Sequence, residues 1–101
     1  MNLSVALENV VCNELFNKGY KVYVGKAKKG EIDFVAIKNN ETKYIQVTCD
    51  LSDEITRNRE VSAFDEFESD NKYIITLDKN RYNVDGIKVL NIYDFLLDED
   101  F

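Results

Sequence analysis

Asp33 is a charged residue inside the apolar stretch Ile32 to Ala36, which alternates like a β-strand. Removing a carboxylate from water is costly unless a partner or a cation compensates it. Gln46 lies in the next such stretch, so a pairing of the two strands would bring its amide oxygen near Asp33. Hard cations such as Mg²⁺ prefer oxygen ligands of this kind. The pair therefore predicts either a divalent-cation site or a buried carboxylate beside a hydrogen-bonded core amide.

The alternation of side chains along a strand determines which neighbours lie on the same face as Asp33 and Gln46. It places Glu31, Asp33 and Val35 on one face of the first strand. It places Gln46 and Thr48 together on one face of the second strand. We expect Asp33 and Gln46 on adjacent strands, with their side chains toward the same side of a sheet.

The elements that position these residues follow from hydrophobic periodicity. A first helix is predicted from the apolar spacing between Leu3 and Phe16, with Asn2 or Ser4 as its cap and Gly19 after its end. Strands are predicted at 20–24, 31–38, 43–49, 72–77 and 87–90, a second helix within 50–69 capped by Ser52, and a short helix at 92–97. A lysine-rich turn at 25–30, a tight turn at 39–40 and a polar loop at 78–86 connect them. This α-β-β-β-α-β-β-α order predicts a mixed sheet flanked by helices, because a helix between strands implies a parallel crossover.

The composition of the 101 residues predicts one α/β domain that covers residues 1–101, with a core that needs neither metal nor disulfide. The formal net charge of −6 argues against strong nonspecific binding to nucleic acid. Lysines nevertheless concentrate around the predicted turn. Lys26, Lys28 and Lys29 are either a solvated turn or a basic face that contacts nucleic acid.

Cysteine usage and hydropathy point to a cytoplasmic protein. Cys12 and Cys49 fall within a predicted helix and strand, so we expect buried thiols with no disulfide partner. Their spacing and the absence of histidine exclude a zinc site. No stretch is apolar for long enough to span a bilayer, and the N-terminus lacks the pattern of a signal peptide.

A Glu in the first helix, the Gly-Glu-Ile-Asp strand that ends at Asp33, and the polar step of Gln46 and Thr48 resemble the PD-(D/E)XK nuclease superfamily. The resemblance implies a restriction-endonuclease-like core. It gives Glu8, Asp33 and Gln46 the metal-binding and catalytic positions, with Mg²⁺ as the cofactor. Thr48 stands where the superfamily has its lysine, so the motif is degenerate. If Glu8 does not bind a metal, it is a surface residue of the helix or accepts hydrogen bonds from backbone amides.

The pattern is more closely similar to the small domain called DUF4143, at the C-terminus of prokaryotic AAA-type ATPases. The resemblance covers roughly residues 5–97. It implies that the chain is a domain of a larger ATPase, or a fragment excised from one, with the ATPase domain of the same parent chain as a partner. Gly25-Lys26 lacks the frame of a P-loop. The matching segments are 7–11, 19–26, 31–35, 44–47, 56–60 and 85–87.

Three functional hypotheses follow. The first is an accessory domain that binds nucleic acid or its own ATPase without cutting, since phosphodiester hydrolysis needs charge that Thr48 and the Gln46 amide do not supply. The second is an active Mg²⁺-dependent nuclease. The third is a structural or dimerisation module. In helix two, Arg59 or Glu60 is expected to form a structural ion pair.

Overall fold

The computed structural model describes residues 2–27, 30–79 and 81–101, so Lys28 and Lys29 lie outside the described part of the chain. It has a mixed α/β fold in which one sheet of six described strands lies between helices. The order along the chain is α1 Leu3–Asn17, β1 Lys21–Ala27, β2 Gly30–Lys38, β3 Glu41–Thr48, α2 Glu54–Ser62, β4 Lys72–Thr76, β5 Tyr82–Val84, β6 Ile87–Asn91 and α3 Ile92–Leu97.

The strand order across the sheet is β1-β2-β3-β4-β6-β5. The first three strands form an antiparallel meander, and β4 adds to β3 in parallel, as the crossover through α2 requires. β6 is parallel to β4, and β5 pairs with β6 as an antiparallel edge. The predicted mixed sheet is therefore confirmed.

The first helix and the central hairpin form as the sequence predicts. The Asn2 side chain accepts a hydrogen bond from Val5 N at 3.0 Å and caps α1, while Gly19 after the helix has a φ of +93°. Asn39 and Asn40 connect β2 to β3 with φ values of +53° and +65°. Two consecutive positive φ values give a tight hairpin turn, and asparagine tolerates them.

Three sequence predictions about the elements are wrong. The predicted loop at 78–86 contains the strand β5, so the order is α-β-β-β-α-β-β-β-α. The second helix covers Glu54–Ser62, and its predicted cap is wrong, because the Asp53 carboxylate, and not Ser52, accepts from Thr56 N at 3.3 Å. The predicted turn at 25–30 is shorter, because β1 continues to Ala27 and β2 begins at Gly30.

The two faces of the sheet carry separate clusters of buried side chains. The cluster under α1 and α3 includes Leu7, Val11, Leu15, Ala36, Ile45, Val47, Ile75 and Phe95, and the cluster on the α2 side includes Ile32, Leu51, Phe64, Ile74, Ile87 and Val89. β3 supplies Ile45 and Val47 to the first face and turns Gln46 toward the second.

The cysteines are free, as expected, but both are half-buried rather than buried. Cys12 lies in α1, and Cys49 follows the end of β3, where its Sγ is 3.6 Å from Ser4 Oγ. In the part of the chain that the structure describes, no helix has both the length and the apolar character needed to cross a membrane.

Candidate functional site

A β-bulge in β2 sets the position of Asp33. Tyr23 pairs with Val35 while Gly25 pairs with Ile32, so β2 has one more residue than β1 between these pairs. A Cβ at Gly25 would lie 2.8 Å from Val35 Cγ2 and 3.0 Å from Ile32 Cβ. Ile32 and Val35 therefore face the same side, three residues apart. The extra residue separates Val35 from the face that carries Asp33, where simple alternation would have placed both.

The carboxylate of Asp33 lies where the backbone ladder between β2 and β3 stops. Backbone pairing runs from Lys38 opposite Glu41 to Phe34 opposite Ile45. Beyond that pair, side-chain oxygens take the place of backbone carbonyls as acceptors for the backbone N–H groups. Asp33 Oδ2 accepts from Val47 N at 2.8 Å, and the Gln46 amide oxygen accepts from Asp33 N at 2.7 Å. The two predicted site residues thus close the gap between diverging strands.

Gln46 also connects this gap to α2. Its Nε2 donates to Glu60 Oε2 at 2.9 Å, and the Gln46 side chain is almost fully buried. Glu60 therefore bonds to an amide, where the sequence predicts an ion pair, while its neighbour Arg59 is exposed. The signal in the sequence was the largely polar character of this helix. No residue of α2 is fully buried, although Val61 packs partly against the core, and the Glu60 side chain is the one that reaches Gln46.

Glu8 approaches the same cluster from α1. Its carboxyl lies close to that of Asp33, and both line an open cleft of about 300 Å³ together with Glu31 and Phe34. The pKa of Asp33 rises from 3.8 to about 6 because the carboxyl is partly buried and because Glu8 and Glu31 add negative charge. The hydrogen bond from Val47 N opposes the rise.

The carboxyl of Glu60 has a raised pKa for the same kind of reason. Burial is the largest cause, and the negative charges of Asp33 and Glu8 add to it, so the pKa rises from 4.5 to about 7. The charge of Arg59 and the bond from Gln46 lower it only in part. Three acids thus share a region in which their negative charge is incompletely compensated.

The arrangement suits a cation only in a limited way. Among residues 2–27, 30–79 and 81–101, no three acid, histidine or cysteine side chains converge as a set of metal ligands. One oxygen of Asp33 and the amide oxygen of Gln46 already accept backbone hydrogens. The facing carboxyls of Glu8 and Asp33 remain, and Mg²⁺ is often held by one or two carboxylates plus water. The residues therefore fit a water-rich site rather than a closed cage.

The positions expected to carry positive charge are only partly described. Thr48, at the position of the superfamily lysine, is half-buried, and its hydroxyl donates to Asp50 O at 3.4 Å. Lys26 is exposed on β1 directly opposite Glu31, so the two share a face. Lys28 and Lys29, predicted with Lys26 to contact nucleic acid, lie outside the described residues. Glu8 and Asp33 line a cleft on the α1 side of the sheet, whereas the Gln46 side chain points toward α2, so the prediction that Asp33 and Gln46 face the same side is wrong. Gln46 contacts Asp33 through the Asp33 backbone N. The chemical roles of these residues stay predictions.

Comparison with known proteins places the chain in a family. A family model described as "Domain of unknown function (DUF4143)" matches residues 5–95. An uncharacterized protein of Haemophilus influenzae is 35% identical over 98 residues, which cover 95% of this chain and 24% of that protein. The chain thus spans about a quarter of the length of this relative. No solved structure matches the chain. The chain therefore belongs to the DUF4143 family.

Proposed function

We propose that this domain is a PD-(D/E)XK-like accessory module of an AAA-type ATPase that contacts nucleic acid through a weakly held divalent cation and does not cut it. One observation carries the proposal: the carboxyls of Glu8 and Asp33 meet in an open cleft, at a gap between strands that Gln46 helps to close. The low coverage of the longer relative agrees with a module of a larger protein.

The electrostatics of the cluster favour a cation. Burial and mutual repulsion raise the pKa values of Asp33 and Glu60 to about 6 and about 7. A divalent cation beside Glu8 and Asp33 would offset that repulsion, and its remaining coordination positions would accept phosphate oxygens. Such a cation would bridge the carboxylates of the domain to the phosphates of a nucleic acid. The net charge of −6 otherwise repels nucleic acid.

The same contacts argue against efficient hydrolysis. A nuclease of this type needs a metal-activated water and positive charge at the phosphate. Gln46 contributes an amide where a carboxylate would strengthen the metal site, and Thr48 carries no charge. Because Asp33 Oδ2 already accepts from Val47 N, a cation would have to share that oxygen with a structural hydrogen bond. Affinity for Mg²⁺ should therefore be weak, with a dissociation constant of about 1 mM.

Metal binding and nucleic-acid binding test the proposal separately. Titration with Mn²⁺, followed by the loss of its free paramagnetic resonance signal, should show one weak site that Asp33→Asn abolishes. Asp65→Asn removes the same charge from an exposed position and should leave the site intact. Electrophoretic mobility shifts with single- and double-stranded DNA and RNA should depend on Mg²⁺ and weaken with salt. The absence of Mn²⁺ binding, or a nucleic-acid affinity unchanged by chelation, would refute the cation bridge.

Lys26 supports a second candidate function, an active Mg²⁺-dependent nuclease. Its position opposite Glu31 puts a positive charge on the face that borders the acidic cleft. Cleavage of plasmid or single-stranded DNA by the unmodified domain would identify this candidate if both Asp33→Asn and Lys26→Ala abolished it. Lys21→Ala, on the same strand, is the matched control. We expect no cleavage above background from any of these proteins.

A further inference from the structure

The side chain of Phe101 fills a pocket on the sheet face that carries α1 and α3. Phe101 as a whole residue is 6% exposed. Lys43 Nζ lies 4.0 Å from the ring centroid, and the rings of Tyr73 and Phe95 meet it edge-on with centroids 5.0 Å away. The Tyr20 ring is tilted against it at 6.1 Å. A lysine and three aromatic side chains thus surround one phenyl group.

Two hydrogen-bond donors converge on the main-chain oxygen of Phe101. Lys43 Nζ donates to it at 2.8 Å, and the Tyr20 hydroxyl donates to the same oxygen. The Lys43 residue is only 7% exposed. A buried ammonium group is costly unless an acceptor, preferably an anion, compensates it. The pocket therefore recognises two features of its occupant: an aromatic ring and an adjoining oxygen.

The walls of this pocket do not depend on Phe101 for their backbone structure. Tyr20 precedes β1, Lys43 and Tyr73 lie within the paired strands β3 and β4, and Phe95 belongs to α3. The occupant follows α3 on a short segment, where its N donates to Asp98 O at 3.3 Å. Removal of Phe101 should therefore leave in place the strands and the helix that carry the pocket walls.

We propose that Tyr20, Lys43, Tyr73 and Phe95 form a binding site for aromatic carboxylates of the N-acyl-phenylalanine type, which Phe101 occupies as an intramolecular ligand. The ring contacts select an aromatic group. The paired ammonium and hydroxyl donors favour a carboxylate over a neutral amide, because a carboxylate also neutralises the buried Lys43 charge. An external ligand of this class competes with Phe101 for the site.

The test uses the chain without residue 101 and N-acetylphenylalanine as the probe. Shifts of the Tyr20 and Tyr73 ring signals in NMR spectra should saturate, with a dissociation constant of about 1 mM for a ligand of this size. The melting temperature should rise with the concentration of the probe. N-acetylphenylalaninamide should bind about tenfold more weakly, and N-acetylalanine should cause no saturable shift. The intact chain should bind the probe much more weakly than the shortened chain, because Phe101 competes.

Lys43→Met in the shortened chain separates the two parts of the recognition. It keeps an apolar contact for the ring but removes the ammonium, so the preference for the acid over the amide should disappear. A folded shortened chain that shows no saturable shift with N-acetylphenylalanine would overturn the proposal, as would equal binding of N-acetylalanine. If the shortened chain is unfolded, the probe should restore its structure, and failure to do so counts against the site.

Phe101→Ala in the chain of 101 residues provides an independent variant. It keeps the main-chain oxygen and removes only the ring, so toluene should bind in the vacated space and raise the melting temperature. Leu97→Ala, a truncation of an exposed side chain on α3, is the control and should show no effect of toluene. Equal responses of the two variants would show that the ring of Phe101 does not mark a specific pocket.

Discussion

Replacement of Glu60 by glutamine should stabilise the domain at alkaline pH. The pKa of Glu60 is raised from 4.5 to about 7, mainly by burial and by the charge of Asp33. Between these pH values the folded state binds more protons than the unfolded state. The free energy of unfolding therefore falls as the pH rises from about 4.5 to about 7, and the full penalty is present above that range.

The size of the effect follows from the pKa change. A rise from 4.5 to about 7 corresponds to roughly 3 kcal/mol, and solvent screening of the partly exposed carboxyl reduces it to about 1–2 kcal/mol. Glu60→Gln removes this penalty and keeps an oxygen that accepts from Gln46 Nε2. The variant should therefore exceed the natural protein by about 1–2 kcal/mol at pH 8 and match it near pH 4.

Urea unfolding followed by circular dichroism at pH 4.5, 6 and 8 measures this difference. With a urea dependence of roughly 1–2 kcal/mol per molar, the midpoint should rise by about 1 M at pH 8. Glu68→Gln, at an exposed loop position, is the matched control and should change little at any pH. A Glu60→Gln midpoint at or below that of the natural protein at pH 8 would refute the reasoning. The charged bond to Gln46 would then outweigh the burial of the carboxylate.

Two further predictions concern the bulge and the motif. Gly25→Ala should destabilise the domain by about 1–3 kcal/mol in thermal unfolding, because its Cβ would meet Val35 and Ile32 at 2.8 and 3.0 Å. An unchanged melting temperature would mean that the strands move apart freely. Thr48→Lys combined with Gln46→Glu should tighten Mn²⁺ binding, reduce stability without metal and produce trace cleavage of DNA. If this double variant binds Mn²⁺ no better than the natural chain, the missing charges at these two positions do not limit the affinity for the cation.

Much of the fold follows from local patterns in the sequence. The Leu7, Val11 and Leu15 spacing produces the buried stripe of α1, and Asn39-Asn40 has the residue types that a two-residue hairpin turn needs. β5 was missed because three residues in a polar segment give too little alternation to detect. Its pairing with β6 depends on the neighbouring strand rather than on its own pattern.

The candidate site was predictable only in part. Asp33 and Gln46 stood out because polar groups in apolar strands need partners. The residue types around Asp33 do not reveal the bulge, so a prediction from simple alternation places Val35 on the wrong face of the sheet. Glu60 reaches the cluster through a contact between distant segments, and its role depends on how α2 crosses the sheet.

The network at the strand gap links the stability of the domain to its capacity for metal binding. Asp33 replaces a ladder acceptor for Val47 N, and Gln46 replaces one for Asp33 N. A cation that engaged both oxygens of Asp33 would compete with Val47 N for electron density on Oδ2 and weaken that bond to a partly buried donor. The gain from neutralising Glu8 and Asp33 is therefore offset in part by a weakened structural bond. Weak cation binding follows from this geometry as well as from the missing charges at Gln46 and Thr48.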